Sequence, residues 1–161
     1  MKDNQTMRGP RSPWLFALAA LLSLGGLADS IYLTVTHLTG ENAACFASSG
    51  CSEVLSSAYA SLGEIPLAAL GVLGYFAAFS CSVLAAFGYP RARIFLSGLV
   101  AGMLAATLWL LYVQAFVLHA FCDFCLISAA LTLSLSVIVG ASHFIEKRHR
   151  KAAEGTARVS S

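Results

Sequence analysis

Four apolar runs set the limits on what this chain can fold into. They cover residues 13–36, 65–87, 94–118 and 126–145, the last of them beginning a turn earlier, near Phe121. A helix needs about 20 apolar residues to cross the hydrocarbon of a bilayer. No water reaches a peptide group there, so a crossing segment must satisfy its own N–H and C=O groups, as a helix does. Hydrophobic residues make up 58% of the 161 positions and charged residues only 11%, far less charge than a soluble domain carries. The expected fold class is therefore all-α: a four-transmembrane-helix bundle, with a polar loop and a short amphipathic helix between helices 1 and 2.

The charges orient that bundle. The ten basic residues lie in the N-terminal tail, in the turn holding Arg91 and Arg93, and in the C-terminal tail. With four spans these segments share one side, which the positive-inside rule makes cytoplasmic. Residues 37–64 and 119–123 face the other way and carry Glu41, Glu53, Glu64 and Asp123, with no Lys or Arg. Both termini are expected inside, with residues 1–12 and 146–161 as cytoplasmic tails around one membrane domain at 13–145. The first apolar run outlasts a signal-peptide core, and its small residues, as in Leu18-Ala19-Ala20 with two alanines, fall in mid-run. It is expected to be an uncleaved anchor. A net charge of +2 gives no indication of nucleic-acid binding.

The connections differ in kind. Gly88-Tyr89-Pro90-Arg91 is a tight turn. The link between the third and fourth runs is so short that those helices must form an antiparallel hairpin. The first outer segment is long, with turns at Thr39-Gly40-Glu41-Asn42 and Ser48-Ser49-Gly50. From Ser52, the residues Val54, Leu55, Ala58, Tyr59 and Leu62 recur at helical spacing. That predicts an amphipathic helix lying as a lid over the outer mouth of the bundle, ended by Gly63. A lid over a bundle encloses an apolar cavity, the kind of space that takes a flat hydrophobic molecule.

Four of the five cysteines fall on that outer face, as Cys45-x5-Cys51 and Cys122-x2-Cys125. On a helix, positions i and i+3 share a face, and a helix N-terminus favours a thiolate, which is both nucleophile and leaving group. Two dithiol pairs on one oxidising face are what a thiol–disulfide relay requires. A four-cysteine zinc site and two structural disulfides are the competing readings. The loose C-x5-C spacing and the membrane-rim setting speak against zinc, and no metal is expected. Cys81 lies inside an apolar run and reads as a small hydrophobe. Asp29 and Gln114 are polar residues inside spans, placed to face a ligand or one another, or to bond a neighbouring helix. His37 and His119 fall at the outer interface.

The order of these motifs resembles the vitamin K epoxide reductase family. The resemblance rests on Cys45 and Cys51-Ser52-Glu53-Val54-Leu55-Ser56-Ser57, on Ile65-Pro66-Leu67-Ala68, on Cys122-Asp123-Phe124-Cys125, and on Asp29-Ser30-Ile31-Tyr32-Leu33-Thr34. It runs from about residue 14 to 145, and the size of the chain points to the bacterial branch without a fused thioredoxin domain. It implies a four-helix bundle around a quinone, menaquinone or ubiquinone, in the bacterial cytoplasmic membrane, with the cysteines facing the periplasm or cell exterior. It implies that Cys125 faces the quinone with Cys122 as its partner, that Cys51 exchanges with Cys122, and that Cys45 takes the attack of a separate extracytoplasmic thioredoxin-fold protein. Ser57 corresponds to the family's functional Ser or Thr, and Gln114 to the quinone-lining stretch of the third span. One position departs: the Tyr that bonds vitamin K in the vertebrate enzymes is Ala129 here. The expected activity is a quinone-dependent thiol–disulfide oxidoreductase supporting disulfide formation. Epoxide reduction and a non-enzymatic scaffold with structural disulfides are the alternatives.

Overall fold

The computed structural model describes residues 13–39, 50–57, 60–62 and 65–159. Its order is α1 (Pro13–Thr39), α2 (Cys51–Leu55), β1 (Ser61–Leu62), β2 (Ile65–Pro66), α3 (Leu67–Ala86), α4 (Pro90–Tyr112), a π-helical stretch (Val113–Leu118) and α5 (Asp123–Val159). Among the described residues, four segments have the length and apolarity to cross a membrane: Trp14–Thr39, Leu67–Ala86, Pro90–Leu118 and Asp123–Ile145. The protein is a multi-pass, all-helical membrane bundle. Leu21, Leu73, Phe95 and Val137 point outward and are exposed, as side chains that meet lipid should be.

The four long helices form a ring. α1 touches α3 and α5, and α4 touches the same two. Lipid tails are as apolar as leucine, so hydrophobicity does not drive helices together inside a bilayer; close packing and hydrogen bonds do. Small residues provide the closeness, and Ala19, Ala78, Ala85 and Ala92 belong to the buried core. Tyr75 provides the hydrogen bonds. From α3 its hydroxyl lies 2.8 Å from Thr132 Oγ1 and 3.0 Å from Ser128 Oγ, and donates to the Ser128 carbonyl at 2.9 Å. Those partners are on α5, so one side chain ties two helices across the ring. Its aromatic ring rests on Gly26 of α1, where a Cβ would overlap it. Several other hydroxyls in the spans bond back to their own helix, as Ser23 does to the Ala19 carbonyl at 2.8 Å.

The connections follow the local chemistry. Gly88 takes φ 95° in the turn between α3 and α4, and Pro90 opens α4 at a position where a missing N–H costs nothing. α4 thus starts earlier than hydropathy places it, with Arg91 and Arg93 on its first turn. Arg93 lies over the Phe16 ring at 4.9 Å, which puts the start of α4 beside the start of α1. The lid helix is shorter than its periodicity predicts. α2 stops at Leu55 because Ser56 and Ser57 fold back onto it, donating to the Glu53 and Val54 carbonyls at 3.3 and 2.7 Å. A two-stranded antiparallel ladder then pairs Ser61 with Pro66 and Leu62 with Ile65. Ala58, Tyr59 and Gly63 lie outside the described residues.

A Gly26→Ala substitution is expected to destabilise the bundle by about 1–3 kcal/mol, the usual cost of overpacking, because the Tyr75 ring must move. Gly98→Ala, where nothing stands within 4 Å of the added carbon, is the control and should be neutral. Thermal unfolding of both variants in detergent checks this; equal midpoints would contradict the packing role given to Tyr75.

Candidate active site

One mouth of the bundle gathers the site. Cys122 immediately precedes α5 and Cys125 lies on its first turn. The Cys122 carbonyl accepts the Leu126 N–H at 3.0 Å, so Cys122 is the residue from which the helix starts. The π-helical stretch carries α4 up to the link, and His119 ends it in a left-handed conformation with φ 51°. That reversal returns the chain within three residues.

Gly50 joins the two cysteine segments. A Cβ there would stand 2.8 Å from the Phe121 carbonyl oxygen and 3.0 Å from its amide nitrogen. Backbone therefore lies directly on backbone, which only glycine permits. Cys51, the first residue of α2, is thereby seated against the link, and it packs with Val54, Ala120 and Cys122 in one buried cluster. Cys51 is 1% exposed and Cys122 0%. Cys51 is engaged in a disulfide, whereas Cys122 and Cys125 are free thiols. Cys45 lies outside the described residues. Cys81 is free, packs against the core beneath, and does not line the cavity described next.

The two inner sulfurs differ in role. A hydrogen bond from the Cys125 thiol is the main influence on Cys122 and lowers its pKa to about 7; backbone N–H groups of Cys125 and Phe124 add to this, against burial and the Asp123 charge. Near neutral pH, Cys122 is therefore substantially thiolate, the form that attacks a disulfide. Cys125 instead lines a cavity of about 510 Å³ beneath the lid, within the range of small-molecule sites. Cys122 is not part of its wall.

That cavity receives most of the other residues singled out from the sequence. Ser57 and Gln114 both line it, and so do His37 and Ala129. Gln114 is 3% exposed, and its Oε1 accepts the Cys122 N–H at 3.2 Å. It bonds the cysteine segment, not Asp29. Asp29 lies off the cavity wall; its Oδ2 is buried without a hydrogen-bond partner, within electrostatic reach of Cys125. His119 shapes the link. Among the described residues no cluster of three metal-ligating side chains occurs. Sequence reasoning overlooked Gly50 and Tyr75. A glycine in a Ser-Ser-Gly turn carries no sign of which backbone it must touch. Tyr75 did carry a sign, since a hydroxyl inside an apolar run has to find a partner.

A profile of the vitamin K epoxide reductase family matches residues 17–139, which hold Cys51, Cys122, Cys125 and the whole cavity wall. The chain belongs to that family. It is also 33% identical over 118 residues to the thiol-disulfide oxidoreductase LTO1 of Arabidopsis thaliana. The aligned region is 68% of this chain but 31% of that protein, so the chain spans about a third of the length of this relative. Membership in the vitamin K epoxide reductase family fits a helical membrane bundle whose cysteines gather at one mouth.

With Cys51 held in its disulfide and Cys122 and Cys125 reduced, the Cys122 thiol should titrate at a midpoint of about 7. Cys125→Ala, which removes the thiol hydrogen bond, should move the midpoint up toward the free-thiol value of about 8.5. The Cβ NMR shift of isotope-labelled Cys122 reads the titration without needing reagent access. An unmoved midpoint would reject the Cys125 thiol as the cause.

Proposed function

We propose that this protein is a membrane thiol–disulfide oxidoreductase that oxidises an extracytoplasmic thioredoxin-fold protein and passes the electrons through two cysteine pairs to a membrane quinone. The observation that carries the reading is the packing of Cys51 and Cys122 in one dry cluster, with Cys125 on the wall of a lipid-depth cavity. The organism is read as bacterial, the cysteines as facing the periplasm or cell exterior, and both tails as cytoplasmic.

The cavity suits a quinone on its own terms. Its wall is mostly aliphatic, and Gln114, Ser57 and His37 are among the polar groups that an oxygen-bearing ring would meet. The Tyr75 hydroxyl, also on the wall, is already bonded to α5. When bound, a quinone supplies an acceptor for two electrons and two protons. The chain's residues perform the rest.

A partner thiolate attacks the Cys45–Cys51 disulfide at Cys45, forming a mixed disulfide and releasing Cys51. The second partner thiol then displaces Cys45, so the partner leaves oxidised and Cys45 and Cys51 are left as thiols. The Cys51 thiolate attacks an oxidised Cys122–Cys125 pair at Cys122 and frees Cys125. Cys45 closes onto Cys51, which restores the outer bridge and leaves Cys122 and Cys125 reduced. Cys51 disulfide-bonded with Cys122 and Cys125 as thiols is the arrangement found here. Cys125, on the cavity wall, gives up the electron pair as its disulfide with Cys122 re-forms, and two protons leave with the electrons.

Plain quinone reduction is favoured over epoxide reduction because Ala129, on the cavity wall, offers no hydroxyl to an epoxide oxygen. In liposomes containing quinone, wild-type protein should oxidise many equivalents of a reduced thioredoxin-fold protein. Cys125→Ala should stop after about one equivalent, because only the outer disulfide can be consumed. Continued turnover by Cys125→Ala would refute this electron path. A protein whose cysteines never change state with reduced partner present would instead be a scaffold.

A further inference from the structure

Gln114 occupies a position that neither binding a ligand nor packing the bundle explains alone. Its carbonyl oxygen accepts the backbone N–H of Cys122 at 3.2 Å. The same side chain lines the cavity, which Cys122 does not. Its amide nitrogen makes no hydrogen bond among the described residues, yet it is not one of the sealed polar atoms left without a partner. It is open, and the surface available to it is the cavity. The backbone is arranged for this. Val113 and Gln114 are consecutive and both buried, at 2% and 3% exposure, an inward pair that the wide π turn accommodates. Such turns concentrate at functional sites.

We infer that Gln114 is a positioning residue that couples the cavity to Cys122, holding the Cys122 N–H with one end of its amide and donating to an oxygen of the cavity's occupant with the other. This rests on the quinone reading above and adds a link between the two halves of the site. An amide that donates through its nitrogen becomes a better acceptor at its oxygen, because bonds in a chain polarise one another. Filling the cavity thus tightens the hold on Cys122 at the start of α5. There its sulfur receives the Cys125 thiol and the Phe124 and Cys125 N–H groups. The thiolate is favoured, and by linkage a Cys122 thiolate favours the occupant by the same factor. No electron or proton changes hands in this coupling.

Other ionisable groups surround Cys122. Cys125 and Asp123 stand beside it on α5, Cys51 faces it from α2, and His119 lies in the link. Asp29 of α1 reaches Cys125, and His37 of α1 lines the cavity. All are kept in Gln114→Met, so a difference between wild type and that variant isolates the amide.

The test uses fully reduced full-length protein in nanodiscs, kept anaerobic, with decylubiquinol as the probe because it leaves thiols reduced. The emission of Trp109, which lines the cavity, reports occupancy. The Cβ NMR shift of labelled Cys122 reports its thiolate fraction. Saturating decylubiquinol should raise the wild-type thiolate fraction about threefold below the midpoint, the size expected for a modestly strengthened hydrogen bond. Gln114→Met should bind the probe but show no rise. Gln114→Asn, whose amide is one methylene short of Cys122, should behave the same and stands in if Gln114→Met does not fold. Saturable Trp109 emission with no wild-type rise overturns the coupling and leaves the quinone reading standing. An equal rise in the variants also overturns it, since the signal would then pass through Cys125. Emission that never saturates removes the quinone reading and the coupling together.

Discussion

The contact of Gly50 with the Phe121 backbone is the constraint on which the rest of the site depends. It presses the start of α2 onto the link that joins α4 to α5. Cys51 is thereby buried beside Cys122, and the lid roofs a cavity into which Cys125 opens. A side chain at position 50 would separate those backbones, and the sulfurs with them. Disulfide exchange proceeds through a collinear attack at bonding distance, so a small displacement of the lid matters more here than at a packing contact.

Two polar side chains organise the apolar interior, each joining elements that the ring does not otherwise bind tightly. Tyr75 ties α3 to α5 across the bundle and rests its ring on α1. Gln114 ties the end of the third span to the start of the fourth. In hydrocarbon an unmade hydrogen bond has no water to replace it, so the definite partners of these two side chains count for more than they would at a wet surface. Both side chains line the cavity, and beyond it the helices close on a core that includes Ala19, Ala78, Ala85 and Ala92.

Depth also separates the cysteines by environment. Cys122 is sealed from solvent, outside the apolar span, and activated by the hydrogen bonds of a helix start. Cys125, one turn further in, faces a wall made chiefly of aliphatic side chains. The two sulfurs thus sit one turn apart, one at the polar start of α5 and one on the cavity wall. Family membership and the similarity to LTO1 agree with that arrangement.

The amino-acid order alone determined the four helices, the hairpin of the third and fourth and the presence of two cysteine motifs, because hydropathy over about 20 residues and the i, i+3 spacing are properties of the local chain. It also marked Ser57 and Gln114, by motif and by polarity within a span. It could not say where α2 ends, because Ser56 and Ser57 fold back onto carbonyls that the apolar periodicity does not register. Nor could it pair Gly50 with Phe121, Gln114 with Cys122, or Tyr75 with Ser128 and Thr132. Those contacts join positions whose separation is unrelated to any helical or strand period. Only the packed bundle, which brings distant backbone and side chains within hydrogen-bonding range, decided them.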